Sequence, residues 1–278
     1  MKKFLIFSTV MIFCVGAWGF VIPLFDRIPP INETTKTCLV TGASSGIGSE
    51  IAHEMVTRGW KVIGIARRAD LLEKQKAQLG ENFISYVCDV GNQEAVHKIS
   101  EDIKAAGLKP TLFFLNAGTG ELEEKWNIST AVHQRTFATN YFGALAWIEE
   151  WLPLVKRYGG GTFVATASIA ALFATPGSAA YAASKAALVH SFQSLRLQYR
   201  NDNIGFSVVL PGPTDTEMLK GAGAKRLPFI HKPDDEARYI IGHVFAREKQ
   251  IEPSWFYSVM MRVFRMLPDE VVMMCLKG

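Results

Sequence analysis

Thr37-Cys-Leu-Val-Thr41-Gly42-Ala-Ser-Ser-Gly46-Ile47-Gly48 is the stretch of sequence that predicts the fold. Its first five residues are apolar or β-branched, which is typical of a short buried strand. Three glycines follow, and a helical pattern then continues to about Arg58. Glycines between a strand and a helix permit a tight turn and let the backbone approach a pyrophosphate at the helix N-terminus. A flexible Gly/Ser turn without a ligand is the alternative for this stretch taken alone.

Strands and helices alternate through the rest of the chain. Further strands are predicted at 61–65, 83–88, 111–115, 161–167 and 204–210. Helices are predicted between them. The first extends to about 58, two more lie at 69–79 and 92–106, a long helical region extends to about 158, and the last helix lies at 178–200. This alternation indicates a parallel sheet that is covered by helices on both faces. No change in composition and no internal repeat points to a second domain.

Composition excludes several classes of protein. The chain has 278 residues, of which 49% are hydrophobic and 20% charged, enough to bury a large core. The net charge is +4 and basic residues occur only as scattered pairs, so we expect no nucleic-acid partner. The four cysteines have no CxxC spacing and lie near apolar runs, so buried free thiols are expected and no metal site is predicted. They are Cys14, Cys38, Cys88 and Cys275.

An apolar run from Phe4 to Phe25 follows Lys2-Lys3 and contains no charged residue. As a helix, its part up to Ile22 would be about 28 Å long, enough to cross the hydrocarbon core of a bilayer. A retained membrane anchor at 1–25, with 26–36 as a linker, is our first interpretation. A cleaved signal peptide and a buried or interfacial helix are the alternatives. The first interpretation places the protein at a membrane, on a side that the sequence leaves open.

Tyr181 and Lys185 are four residues apart in the predicted helix at 178–200, so they share one face of it. An ammonium beside a phenol favours the phenolate and would lower the pKa of the tyrosine from about 10. Such a group can exchange a proton near neutral pH, as carbonyl reduction or alcohol oxidation requires. Tyr-x-x-x-Lys also occurs by chance on many helices, where it is a half-buried tyrosine and a solvated lysine.

Seven motifs, in chain order, resemble those of the short-chain dehydrogenase/reductase family. Thr41-Gly-x-x-x-Gly-x-Gly48 resembles the cofactor loop. The other six motifs are Asp89-Val90, Asn116-Ala117-Gly118, Asn140, Ser168, Tyr181 with Lys185, and Pro211-Gly212-Pro-Thr-Asp-Thr216. The resemblance covers about 36–252. It implies one Rossmann-type, doubly wound parallel α/β sheet of about seven strands at 37–253, with an apolar, basic tail at 254–278.

The resemblance also implies which residues hold the cofactor and which carry the reaction. The implied cofactor contacts are Gly42, Ser44, Ser45, Gly46, Ile47, Gly48, Arg67, Arg68, Asp89, Val90, Asn116, Ala117, Gly118, Tyr181, Lys185, Pro211, Gly212, Thr214 and Thr216. The implied catalytic residues are Asn140, Ser168, Tyr181 and Lys185. A hydride would pass between nicotinamide C4 and a carbonyl carbon while Tyr181 transfers the proton. Ser168 would bond the same oxygen, Lys185 would hold the ribose and lower the Tyr181 pKa, and Asn140 would hold a water.

NADP is the implied cofactor, because Ala66 and Arg67 follow the second strand where NAD-selective relatives carry an acid. An arginine offers charge and a fork of donors to a 2′-phosphate. Arg68 either contacts the same 2′-phosphate or is a solvated surface charge. Asp70 lies at about the sequence distance expected for the acidic residue that bonds the adenosine ribose, but a helix N-cap is its favoured role.

The substrate is expected to be hydrophobic, and three segments are expected to select it: 119–121, 169–178 and 217–232. The last includes a lid at Met218 to Phe229. The tail can lie at a membrane surface, or pack over the substrate pocket or against a partner subunit. We therefore expect carbonyl–alcohol interconversion on a lipid-like, steroid-like or long-chain keto substrate, by a membrane-associated chain compatible with a homodimer or homotetramer. The alternatives are a 3-oxoacyl-thioester reductase and a non-catalytic nucleotide-binding module.

Overall fold

The computed structural model describes residues 27–121, 127–221 and 227–277. The predicted anchor at 1–25 lies outside the described residues, and so do parts of the predicted lid. Within the described ranges, no helix combines the length and the apolar character needed to cross a bilayer. The residues predicted as a linker pack on the domain from Arg27 onwards. Ile28 is buried, and the Asn32 amide donates to the carbonyl oxygens of Tyr158, at 3.1 Å, and Gly160, at 2.8 Å.

A seven-stranded parallel sheet forms the centre of the molecule, in the order β3-β2-β1-β4-β5-β6-β7. Its strands are β1 (Thr37–Thr41), β2 (Lys61–Ala66), β3 (Phe83–Val87), β4 (Leu112–Leu115), β5 (Gly161–Thr166), β6 (Ile204–Val209) and β7 (Gln250–Ile251). The parallel, doubly wound sheet confirms the predicted fold class. The two-residue β7, which pairs with β6, is too short for its alternation to be recognised in the sequence.

Helices cover both faces of this sheet. They are α1 (Gly46–Thr57), α2 (Ala69–Leu79), α3 (Gln93–Ala105), α4 (Thr130–Phe137), α5 (Gly143–Arg157), α6 (Ala179–Gln198), α7 (Glu217–Gly221), α8 (Pro233–Phe245), α9 (Trp255–Phe264) and α10 (Asp269–Lys277). A π-helical turn at Ala138–Phe142 joins α4 to α5, and short 3-10 turns lie at Gly80–Asn82 and Ile169–Ala171. The long helical region predicted before 158 is therefore two α-helices joined by a wider turn.

The core has two layers because successive residues of a strand point to opposite faces of the sheet. In β1, Cys38 and Val40 belong to the layer under α1, α2 and α8, and Leu39 belongs to the layer under α3, α5 and α6. Phe113, Phe163 and Phe206 stack side by side on three neighbouring strands, with ring centroids 4.6 and 5.4 Å apart. Because both faces of the central strands are buried, their sequences are nearly continuous apolar runs.

The strand order reverses between β1 and β4, since β2 and β3 extend to one side of β1 and the later strands to the other. Loops that leave neighbouring strands at such a point diverge, so a crevice forms at the carboxyl ends of the strands. Apart from Asn140, Tyr181 and Lys185, which lie on helical segments, the predicted site residues follow β1, β2, β3, β4, β5 and β6, and all of these strands end at this edge.

Cys38 and Cys88 are buried free thiols, as predicted, whereas Cys275 is exposed. On the outer surface, His97, Glu101 and Glu150 lie close enough to share an ion. The Lys104 ammonium, however, already donates to Glu101 at 2.7 Å and to Glu150 at 3.0 Å. This group is therefore an exposed ion-pair network, remote from the crevice.

Candidate active site

The loop between β1 and α1 brings backbone close to backbone. A Cβ atom at Gly48 would lie 2.4 Å from the Gly42 carbonyl oxygen and 2.5 Å from Nδ2 of Asn116. Gly46 has a φ of +57°, in the left-handed region that favours glycine. The glycines therefore allow the start of α1 to approach the end of β1, with its first N–H groups directed to the crevice. Such a helix start fits the pyrophosphate of a dinucleotide.

The end of β4 is tied to this loop. The Ala117 N–H donates to Oγ1 of Thr41 at 3.0 Å, which joins the ends of the adjacent strands β1 and β4. A Cβ atom at Gly42 would lie 3.0 Å from Cα of Ala117, so this approach is also close. The predicted segment Asn116-Ala117-Gly118 thus lines the crevice beside the glycine loop.

Two arginines follow β2, and their surroundings differ. Arg67 is exposed, and its guanidinium lies 3.9 Å from the carboxylate of Asp89, which follows β3. Asp89 accepts a hydrogen bond from the Gly91 N–H at 3.0 Å and forms one wall of the crevice. Arg67 is therefore held only loosely, on the wall of the crevice.

Arg68 is held by more partners. Its guanidinium donates to Oγ of Ser44 at 3.2 and 3.3 Å, to Oγ of Ser45, and to the carboxylate of Glu217 at 2.7 Å. Arg68 is also the N-cap of α2, because its backbone is extended and the helix begins at the next residue. The predicted N-cap role of Asp70 was therefore wrong: Asp70 lies in the first turn, where its carboxylate complements the helix dipole.

Tyr181, Lys185 and Ser168 meet at the opposite end of the crevice. Tyr181 and Lys185 project from the same face of α6, with Nζ of Lys185 5.8 Å from the centroid of the Tyr181 ring. The buried Lys185 ammonium donates to the carbonyl oxygen of Thr166, the last residue of β5, at 2.6 Å. Ser168 follows β5, its Oγ accepts from the Ala170 N–H at 3.1 Å, and it lines the cleft together with Tyr181. The strand end and the helix face therefore place three polar groups in one corner.

The pKa directions in this corner follow from burial. Burial raises the pKa of Tyr181 above its ordinary value, and the nearby Ser168 hydroxyl acts in the opposite direction without overcoming it. Burial also lowers the pKa of Lys185 to about 8. The expected lowering of the Tyr181 pKa by Lys185 was therefore wrong for this arrangement, because desolvation of the phenolate dominates. Tyr181 is protonated at neutral pH.

Asn140 lies in the π-helical turn and is 1% exposed. Its side-chain oxygen accepts from the Thr119 N–H at 2.7 Å, and its Nδ2 donates to the Thr119 carbonyl at 3.0 Å. Nδ2 also donates to Oγ of Ser184 at 3.0 Å. Asn140 therefore fixes the loop after β4 to the helix that carries Tyr181 and Lys185. The water-holding role implied by resemblance stays a prediction.

One cleft of about 1,050 Å³ collects these features. Every predicted site residue lines it except Gly48 and Asn140. The last strand-end segment contributes Pro211, Gly212, Thr214 and Thr216 to its wall. The structure thus brings the predicted cofactor-binding and catalytic residues together around one space.

The structure also adds residues that sequence reasoning missed. Met261 of α9 lines the cleft, so the tail packs over it, which was one of the alternatives for this segment, although the residue itself was not predicted. Thr166 acts through its backbone carbonyl, and such a role leaves no signal in the residue type. Ser184 lies one residue before Lys185, and its position on the buried face of α6 is the only sequence signal for its role.

A family model described as short chain dehydrogenase matches residues 36–227. The chain belongs to the short-chain dehydrogenase family. It is therefore an oxidoreductase that acts on an alcohol or carbonyl group with a nicotinamide cofactor. The glycine loop, with space for backbone contact and none for a Cβ atom at Gly48, fits such a dinucleotide.

Several known proteins are similar to this short-chain dehydrogenase. The uncharacterized oxidoreductase YbbO of Escherichia coli is 31% identical over 261 residues, covering 87% of this chain and 94% of YbbO. The 11-beta-hydroxysteroid dehydrogenase 1A of Arabidopsis thaliana is 29% identical, covering 84% of this chain and 72% of the relative. A Sphingobium yanoikuyae short-chain dehydrogenase in complex with NADPH has a TM-score of 0.73 at 23% identity, covering 78% of this chain and 87% of that structure.

We expect Gly48→Ala to weaken dinucleotide binding by at least about tenfold, because the new Cβ would lie 2.4 Å from a backbone oxygen. Fluorescence titration with NADPH and with NADH measures the effect. Gly242→Ala is the matched control. A Cβ atom there would meet nothing within 4 Å, and alanine inside a helix is worth up to about 1 kcal/mol of added stability. Wild-type nucleotide affinity in Gly48→Ala would contradict the placement of this loop.

Proposed function

We propose that this enzyme interconverts a carbonyl and a secondary alcohol on a hydrophobic substrate and uses NADP(H). One observation carries the proposal. A single cleft joins two arginines at one end to Ser168, Tyr181 and Lys185 and an apolar wall at the other. This arrangement provides charge for a phosphate, proton donors for an oxygen and apolar surface for the remainder of a substrate.

The nicotinamide supplies or accepts the hydride when it is bound. Tyr181 donates the proton to the substrate oxygen in reduction, since its raised pKa keeps the phenol protonated at neutral pH. Ser168 hydrogen-bonds the same oxygen and stabilises developing negative charge. The Lys185 ammonium, held on the Thr166 carbonyl, supplies a positive charge beside the phenol. Asn140 positions the helix and the loop that surround this corner.

The choice of NADP(H) rests on the two arginines. Each guanidinium can donate to a 2′-phosphate, and charge-assisted hydrogen bonds to phosphate are stronger than neutral ones. Ser44 and Ser45, already within reach of Arg68, add two hydroxyl donors. No described acidic side chain other than Asp89 and Glu217 lines this end of the cleft, and both are paired with these arginines. A similar solved structure is a complex with NADPH, which agrees with this choice.

The hydrophobic substrate class rests on the opposite wall. Its apolar residues come from the 3-10 turn after β5 and the residues that follow it, from α7, from the segment before α8 and from α9. They are Ile169, Ala170, Phe173, Met218, Leu219, Leu227 and Met261. Long flexible methionines adapt to bulky apolar shapes. One relative is named for a hydroxysteroid, which is the kind of substrate this wall suits.

Membrane association is the second part of the proposal, and α9 supports it. Trp255, Phe256, Val259 and Val263 project from one face of this helix and are 71%, 44%, 50% and 46% exposed. Tyr257, on the inward face, is buried and donates to the carbonyl oxygen of Pro228. An exposed apolar face with aromatic residues is typical of a helix that lies in a membrane interface. The apolar sequence at 4–25 is a second feature that agrees with this part of the proposal.

Tyr181→Phe should lower kcat for reduction by at least about 100-fold, because the proton donor is removed. NADPH affinity should stay within about threefold of wild type, since the ring is kept. Tyr199→Phe, which removes a phenol at the end of the same helix, is the control and should retain turnover. Steady-state NADPH oxidation with a panel of hydrophobic ketones and aldehydes measures both variants. Retained turnover in Tyr181→Phe would refute the assigned role.

Arg67→Ala should weaken NADPH binding by about 10- to 100-fold and NADH binding by less than about threefold, since a charge-assisted bond to phosphate is lost. Arg135→Ala is the control. Arg135 pairs with Glu121 at the substrate end of the cleft, 2.7 Å away, and should leave the ratio of the two affinities unchanged. Dissociation constants from fluorescence titration decide the matter, and equal losses for both cofactors in Arg67→Ala would rule out the NADP(H) assignment.

The double variant Trp255→Ser/Phe256→Ser should raise the KM for a long-chain ketone in lipid vesicles by roughly tenfold, because two aromatic anchors are lost. The KM for a short, water-soluble ketone should not change. Leu197→Ser, at an exposed apolar residue of α6, is the control and should change neither value. An unchanged vesicle KM in the double variant would overturn the membrane role of α9. A change of the oligomeric state in the double variant would instead assign this face to a second copy of the chain.

A further inference from the structure

Arg68 links two parts of the cleft that lie far apart in the sequence. It follows β2 at the arginine end of the cleft, and its partner Glu217 is the first residue of α7, the helix whose Met218 and Leu219 belong to the apolar wall. The distance from Nη1 of Arg68 to Oε2 of Glu217 is 2.7 Å. The same guanidinium also donates to the hydroxyls of Ser44 and Ser45 in the glycine loop. Arg68 therefore holds a carboxylate and two hydroxyls in one place.

These partners are the ones that a phosphate would use. A 2′-phosphate is an anion with three acceptor oxygens, and it binds best to a guanidinium together with hydroxyl donors. Glu217 already supplies an anion to that guanidinium. A carboxylate and a phosphate dianion repel each other, so both cannot stay close to Arg68 without a cost in affinity.

We propose that Glu217 competes with the 2′-phosphate of NADP(H) for Arg68, and that phosphate binding thereby releases the N-terminus of α7. This inference rests on the proposed preference for NADP(H). Glu217 then acts as a specificity-determining residue. It weakens the binding of NADP(H), and it makes the position of α7 sensitive to the 2′-phosphate, which NAD(H) lacks.

The ion pair is weak enough to be displaced. The side chains of Arg68 and Glu217 are 42% and 70% exposed, so water screens their attraction. Arg67, which is 66% exposed and lies 3.9 Å from Asp89, is free to turn toward the same phosphate. Two guanidiniums and two hydroxyls acting on one phosphate would therefore outcompete one exposed carboxylate.

Without the bond from Glu217 to Arg68, the bonds that hold α7 among the described residues run to the segment just before it. The Lys220 ammonium lies 3.0 Å from the carboxylate of Asp215, and the Leu219 N–H donates to Oγ1 of Thr216 at 3.4 Å. Both partners belong to the segment before α7. Met218 and Leu219 line the substrate end of the cleft, so a pivot about these bonds moves apolar side chains against the substrate. Cofactor phosphate and substrate wall are thereby coupled.

The test uses two nucleotides that differ only in the 2′-phosphate, adenosine 2′,5′-bisphosphate and adenosine 5′-monophosphate. Calorimetric titration compares the full-length wild type with Glu217→Gln, Glu217→Ala and the control Glu121→Gln. Glu121 is a matched control because it is an exposed carboxylate of the same cleft that pairs with an arginine, Arg135. Its substitution makes the same change of charge without touching Arg68.

Both Glu217 variants should bind the bisphosphate about two- to fivefold more tightly than wild type, as expected for removal of an exposed ion pair. Their affinity for the monophosphate should not change, and Glu121→Gln should alter neither value. In wild type, the bisphosphate should speed hydrogen exchange of the amides at 217–221, and the monophosphate should not.

Bisphosphate affinity that is the same in the Glu217 variants and in Glu121→Gln would overturn the inference, as would equal exchange of α7 with both nucleotides. If wild type binds the two nucleotides equally, the NADP(H) preference fails as well, and the inference fails with it. If wild type prefers the bisphosphate and the Glu217 variants do not differ from it, the preference stands and only the role of Glu217 is refuted.

Discussion

The close approach of α1 to the end of β1 is the constraint on which the rest of the site depends. Gly48 lies against the Gly42 carbonyl and the Asn116 side chain, where no Cβ atom fits. The contact fixes the first turn of α1 over the sheet edge and leaves its N–H groups directed to the cleft. Because β1 and β4 are neighbours at the reversal of strand order, the same contact also fixes the bottom of the cleft, where the segments after these two strands meet.

The catalytic corner depends on a buried charge. Lys185 is 3% exposed, and burial lowers its pKa to about 8, so it keeps most of its charge at neutral pH only at a cost in stability. The Thr166 carbonyl offsets part of that cost and holds the ammonium at the end of β5. Burial raises the pKa of the neighbouring Tyr181. This corner therefore favours a protonated phenol next to a partly destabilised ammonium, and that pair is what the proposed proton transfer to a carbonyl requires.

The parts of the site that the sequence could predict are those that demand a residue type. Gly48 must be glycine for steric reasons, and Tyr181 and Lys185 share a helix face because of their spacing. Thr166 could not be predicted, since any residue supplies a carbonyl, and neither could β7, whose two residues carry no alternation. Met261 reaches the cleft through tertiary packing of α9. The pKa direction of Tyr181 was missed for a related reason: spacing reveals the neighbouring lysine but not the depth of burial.

The ion pair of Arg68 and Glu217 is another contact that sequence spacing does not reveal, because tertiary packing alone brings the two residues together. Each residue alone has an ordinary explanation, as a surface charge after a strand and as an acid in the first turn of a helix. Their contact joins the glycine loop to the helix that carries Met218, across 149 residues of sequence. Because one guanidinium serves both elements, an anion that binds to it changes the restraint on α7 even without touching that helix. Under the proposal above, the affinity for a cofactor phosphate and the position of the α7 part of the substrate wall are coupled through this one ion pair.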